Sequence, residues 1–218
     1  MTADHADVVL LVLVMIDLFV VATSRIAAAI RASALQGFSL ALLPFALASD
    51  GTPEHLAHAA LIAAGVLLLK AVLIPWLLLR ALRKVQIRRE VEPFVSLHVS
   101  LLLGALLIGV AFWASAQLPA PRAGTPALLV PVALATLLIG FFIIVSRKKA
   151  ITQVVGYLLM ENGIFVFGMS LGREMPFVVE LGILLDVLVG IFVFGIVIHH
   201  ISEAFDHMDT HTLSELRD

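Results

Sequence analysis

Seven apolar runs, each close to the length needed to cross hydrocarbon, leave this chain essentially one architecture. A bilayer core about 30 Å thick takes a helix of about 20 mostly apolar residues. Backbone polar groups find no water there, so each must be satisfied within its own helix. The runs are Val8 to Ser24, Ser33 to Ser49, Leu56 to Leu79, Ser96 to Gln117, Ala127 to Ser146, Ile151 to Gly172 and Phe177 to Ile201. The second is the least regular, because its short length, Gly37 and Pro44 also suit a re-entrant or strongly tilted segment. Composition agrees: 61% of the 218 residues are hydrophobic and 14% charged, against roughly 45–50% apolar content in soluble domains. The expected fold is an all-α polytopic membrane protein with about seven transmembrane helices.

Loop charge gives the expected orientation, since cytoplasmic loops accumulate Lys and Arg. With the N-terminus outside, Arg25 and Arg31, then Arg80, Arg83, Lys84, Arg88 and Arg89, then Arg147, Lys148 and Lys149, and finally Arg217 all fall inside. Only Arg122 and Arg173 fall outside. Seven crossings keep this alternation and place the C-terminus in the cytoplasm. The N-terminal stretch MTADHADVV lacks the positive segment of a cleaved signal peptide, so the first helix is expected to be retained. Residues 118–126 (LPAPRAGTP) carry three prolines and cannot continue a helix. They divide the chain into four helices over residues 1–117, an outer loop, a three-helix unit over 127–201 and a polar cytoplasmic tail, 202–218.

Several function classes are set aside on residue grounds. The chain has no cysteine, which removes disulfides, thiolate metal sites and cysteine-ligated clusters. A net charge of -2 gives no reason to expect nucleic acid. No GxGxxG, P-loop, HExxH or GxSxG motif occurs. Seven helices invite comparison with retinal proteins, but the last run has no lysine to form a Schiff base. Short loops leave no room for an extramembrane catalytic domain.

Attention therefore falls on residues that hydrocarbon penalises. Asp17, Lys70, Glu161 and Asp186 each lie well inside a run and near mid-depth. A charge there costs about 2.5–3.5 kcal/mol on insertion scales and is read as a functional candidate facing protein or water. The four are expected to face one another or a common polar path. Lys70 precedes Pro75 by about a turn, where proline frees a backbone carbonyl and kinks the helix. Its distance from the helix end argues against snorkelling. Asp17 has a blander reading, pairing with a cation such as Lys70 to hold helices together. Gly182 and Gly190 flank Asp186, and Gly168 and Gly172 follow Glu161, as helix packing alone would also require. Asn162 stands beside Glu161. Glu180 follows Pro176 in the first turns of the last run, where an acid also caps the helix. His98, just inside the fourth run, is a candidate proton relay or an interfacial residue. His199 and His200 are adjacent and point in different directions, against a shared metal.

Gly156 to Gly168 (GYLLMENGIFVFG), Glu180 to Gly190 (ELGILLDVLVG) and the tail FDHMDTHTLSELRD carry a family resemblance. The last three runs resemble the K-type membrane component of respiratory complex I and the C-type component of multisubunit sodium/proton antiporters. The whole chain is similar to the component E membrane subunit of hydrogenase-4 and formate hydrogenlyase complexes. In the K-type component the intramembrane glutamate stands four residues before an asparagine. With Asn162 as that asparagine the matching position is Leu158, so Glu161 is displaced by three residues, about 4.5 Å along the same helix face. Asp186, four residues before Gly190, matches the second buried acid of the family. The resemblance implies a non-catalytic membrane subunit of an energy-converting oxidoreductase in a bacterial inner membrane. It would be hetero-oligomeric, with antiporter-like neighbours, a neighbour like the H-type membrane component of complex I, and a peripheral redox arm. Nickel-iron, iron-sulfur or molybdenum centres would sit only in partners. Glu161, Asp186, Lys70 and Asp17 would then belong to a proton or sodium pathway. In the competing reading, a scaffold, the same charges form static ion pairs.

Overall fold

Apolar runs become helices throughout the described residues, and no strand occurs among them. The computed structural model describes residues 2–47, 53–85, 94–118 and 125–171, together with Gly190 and Gly195. The helices are α1 (Thr2–Ala22), α2 (Ile26–Leu47), α3 (Pro53–Val66), α4 (Ile74–Val85), α5 (Leu97–Ser115), α6 (Leu129–Ser146) and α7 (Ala150–Ser170). A π-helical segment, Leu67–Leu73, joins α3 to α4, so the two form one span. Six stretches are thus long and apolar enough to cross a membrane, matching the first six expected runs. Of the seventh run only Gly190 and Gly195 are among the described residues.

One residue, Pro75, shapes the third span. Pro75 has no N–H, and its ring excludes the usual helical approach to the carbonyl of Ala71. The chain widens just before it, and the Ile74 N–H reaches back to the Leu69 carbonyl, five residues away. Beyond Pro75 the helix continues to Val85, so Arg80 and Arg83 stand on α4 instead of in the loop expected for them. Arg31 likewise lies on α2.

The irregular second run is the central helix. Gly37 and Pro44, which argued for a re-entrant segment, both lie within a 22-residue helix long enough to cross. α2 packs against α1, α3, the π segment, α4 and α7. α6 and α7 form the closest pair, with α5 against α6 and α1. Small residues set these approaches. A Cβ on Gly163 would stand 2.6 Å from the Leu137 nitrogen, and one on Gly156 would stand 2.9 Å from the Gly140 oxygen. Both are far inside contact distance, so only glycine lets these backbones meet.

The interior is layered along the span. One apolar cluster contains Ile16, Val20, Ala32, Ile74, Ile139 and Leu159. The other contains Leu13, Leu40, Val66, Ala133 and Phe165. Every helix that contributes to both changes cluster near its middle, and polar side chains occupy the changeover.

One end of the bundle is basic. The buried Arg147 guanidinium donates through Nη2 to the Val21 carbonyl at 2.7 Å, capping the last turn of α1. The Phe94 N–H donates to the Ser146 carbonyl at 3.1 Å. The α6–α7 connection, the end of α1 and the approach to α5 therefore gather at one end. Arg147 is 1% exposed, so this member of the expected basic loop is a structural cap, while Lys148 and Lys149 are exposed.

Candidate functional site

Six buried polar side chains from five segments form one continuous layer between the two apolar clusters. α1 supplies Asp17, α2 Gln36, the π segment Lys70, α6 Thr136, and α7 the adjacent pair Glu161 and Asn162. Each is at most 5% exposed.

At one end of the layer, the Lys70 ammonium donates to Glu161 Oε1 at 2.7 Å and to Asn162 Oδ1 at 3.0 Å. The first is the short charge-assisted bond of an ion pair, and the second is a hydrogen bond to a neutral amide oxygen. Lys70 Nζ also lies 5.8 Å from the centroid of the Phe165 ring, within cation–π range. The pair depends on a close backbone approach. A Cβ on Gly37 would stand 2.8 Å from the Lys70 carbonyl carbon, so glycine lets α2 lie directly on the π segment.

From Lys70 the bonds run on to the second acid. Asn162 Nδ2 donates to Gln36 Oε1 at 2.9 Å, and Gln36 Nε2 donates to Asp17 Oδ1 at 2.8 Å. Thr136 Oγ1 donates to Asp17 Oδ2 at 2.6 Å. Both oxygens of Asp17 are thus held in hydrogen bonds, Oδ1 by an amide and Oδ2 by a hydroxyl.

Asp17, Lys70, Glu161 and Asn162, singled out in the sequence, are brought together. Lys70 is bonded to Glu161 and Asn162, whereas the sequence offered Lys70 as a partner for Asp17. Asp17 is held by the neutral donors Gln36 and Thr136 instead. His98 is exposed in the first turn of α5, where the helix start at Leu97 places it near a helix end and away from the layer. Asp186, Glu180, His199 and His200 lie outside the described residues. Gln36 and Thr136 were missed: with the second run read from Ser33, Gln36 stood near its start, and only the helix beginning at Ile26 puts it near the centre.

Chemically, the layer can hold charge in a buried interior and pass a change at one acid toward the other. A buried pair of this kind stabilises only through good geometry and completed hydrogen bonds, because desolvating two ions is costly. Among the described residues no group of three His, Asp or Glu side chains stands close enough to hold a metal ion.

No family model matches the chain, and no solved structure matches it. The uncharacterized protein Rv0085 of Mycobacterium tuberculosis (strain ATCC 25618 / H37Rv) is 35% identical over 209 residues, covering 94% of this chain and 93% of the relative. Hydrogenase-4 component E of Escherichia coli (strain K12) is 26% identical over 154 residues, 71% of each chain. The Shigella flexneri protein of the same name has the same identity and coverage. Near full-length similarity at this level places the chain in a family: it belongs to that of the mycobacterial protein Rv0085, with hydrogenase-4 component E as a distant relative.

Proposed function

We propose that the chain is a membrane-arm subunit of an energy-converting complex of the hydrogenase-4 or formate hydrogenlyase type, and that its buried polar layer contributes to proton or sodium translocation. The carrying observation is the Lys70–Glu161 pair, held in the buried interior and hydrogen-bonded through two amides to the second acid Asp17. The distant likeness to hydrogenase-4 component E supports the assignment to such a complex. The resemblance of the last three runs to the K-type component of complex I and the C-type component of the antiporters supports the link to ion movement. In this reading the chain lies in a bacterial inner membrane with the N-terminus outside and the C-terminus in the cytoplasm. Redox chemistry and its metal centres belong to a peripheral arm, and antiporter-like and H-type membrane proteins lie alongside.

The mechanism is electrostatic. Two charges about 4 Å apart interact by about 4 kcal/mol at an effective dielectric constant of 20, so moving the Lys70 ammonium relative to either acid would change that acid's affinity for a proton. Asp186 would extend the axis. Glu161→Gln keeps an acceptor for Lys70 and removes the charge. It is expected to abolish ion-coupled turnover in the assembled complex while subunit copurification is unchanged; intact coupling in that variant would sink the proposal.

One observation favours a scaffold. Lys70 and Glu161 are 5% and 1% exposed and already in direct contact, as a static pair specifying assembly would be. In that case transport belongs to the neighbouring proteins, and Glu161→Gln impairs assembly before it impairs coupling.

A further inference from the structure

The direction of the hydrogen bonds in the layer is fixed by its cation. An ammonium group has donors and no acceptor, so Asn162 must present Oδ1 to Lys70. Its Nδ2 is then left to donate to Gln36 Oε1, and the Gln36 Nε2 to donate to Asp17 Oδ1. Both amides therefore point the same way, oxygen toward the cation and N–H toward the carboxylate. Turning either one alone would set donor against donor at one end and acceptor against acceptor at the other. Asn162 and Gln36 are 3% and 0% exposed, so no bulk solvent is at hand to rescue a reversed amide.

We propose that Asn162 and Gln36 form a polarised amide relay through which the Asp17 carboxylate positions the Lys70 ammonium, making Gln36 a positioning residue for the Lys70–Glu161 pair. Side-chain amides neither gain nor lose a proton in the range where carboxylates and amines titrate. The relay therefore transmits orientation and charge preference but passes no proton between the acids. The two carboxylates load and unload separately, and Asp17 does so on the side of the Thr136 hydroxyl, which can both donate and accept. This deepens the reading proposed for the pair, because coupling between the acids then runs through Lys70's position.

Asn162 is the only asparagine in the sequence, so selective ¹⁵N-asparagine labelling gives one side-chain amide signal from the full chain in lipid bilayers. Solid-state NMR of wild type with ¹³Cδ-glutamine is expected to show a single Asn Nδ2 to Gln Cδ contact, lost in Gln36→Leu. Asp17→Leu, which touches neither Asn162 nor Lys70, is expected to move the Asn162 Nδ2 signal and the Lys70 Nζ signal, the latter assigned by Lys70→Met. In a Gln36→Leu background, or in the flexible Gln36→Met where the leucine variant misfolds, the Asp17→Leu response is expected to be lost. A wild type without the amide contact overturns the relay. So do signals indifferent to Asp17→Leu, or an equal response with Gln36 replaced, which would mean direct action through space. These signals are read without partner proteins, so the result stands apart from the coupling test on Glu161.

Discussion

At the residue scale, the Lys70–Glu161 pair carries the largest energetic consequence. Lys70→Met removes the ammonium that Glu161 contacts at 2.7 Å, and breaking a buried pair from one side costs about 3–5 kcal/mol. Lys70→Met combined with Glu161→Gln removes both charges and is expected to recover most of that loss, as thermal unfolding of the purified chain in lipid nanodiscs would measure. The same double variant separates the two functional readings. A complex that assembles without coupling points to transport through the pair; one that fails to assemble makes the pair a static device that specifies assembly. The charged members of this site were legible because Asp, Lys and Glu are conspicuous among apolar residues. Gln36 and Thr136 were not, because an uncharged polar side chain is tolerated in a span and only its partners reveal its use. The Lys70 partner was unreadable for another reason: α2 and α7 meet the π segment through Gly37 and the local widening before Pro75, and neither contact has a sequence spacing.

At the element scale, glycine decides how closely the helices approach. A Cβ on Gly140 would collide with the backbone of Met160 and stand 2.6 Å from the Gly156 oxygen, and backbone cannot yield as a side-chain tip can. Gly140→Ala is therefore expected to destabilise the α6–α7 pair by about 1–3 kcal/mol, the usual cost of overpacking. Gly65 has no described atom within 4 Å of a built Cβ. Gly65→Ala is expected to be neutral or to add up to about 1 kcal/mol, because alanine restricts the unfolded chain. Thermal melts of the two variants side by side test the contrast, and equal losses would refute it. The first six spans were legible because hydropathy alone marks a membrane helix, but their ends were not: α2 begins at Ile26 instead of Ser33, and the third span runs past Leu79 to Val85. The second, counted as a span but held the least regular because of Gly37 and Pro44, is a helix long enough to cross. In place, Gly37 permits contact with Lys70, and Pro44 falls in the last turn of α2, where the interruption is small.

On the scale of the whole molecule, two apolar clusters enclose a polar layer, and exposed basic residues gather at one end. The enclosure is uneven: 13 of the 21 residues of α7 are buried against 3 of the 19 of α5. α7 thus carries Glu161 and Asn162 on the most sheltered described helix, while α5 presents its side chains to lipid or a partner. The basic end fixes how this layered bundle is expected to sit, because Lys and Arg are retained on the cytoplasmic side. The chain has no cysteine, so single-cysteine variants report accessibility without background. Ala150→Cys, exposed at the start of α7, and Gln117→Cys, exposed just beyond α5, leave every basic residue in place. In intact cells a membrane-impermeant maleimide is expected to label Gln117→Cys alone, and Ala150→Cys only after the inner face is opened. The reverse pattern would invert the assigned orientation. Labelling of both from one side would break the alternation of spans, and with it the case that Asp17, Lys70 and Glu161 share one depth in the membrane.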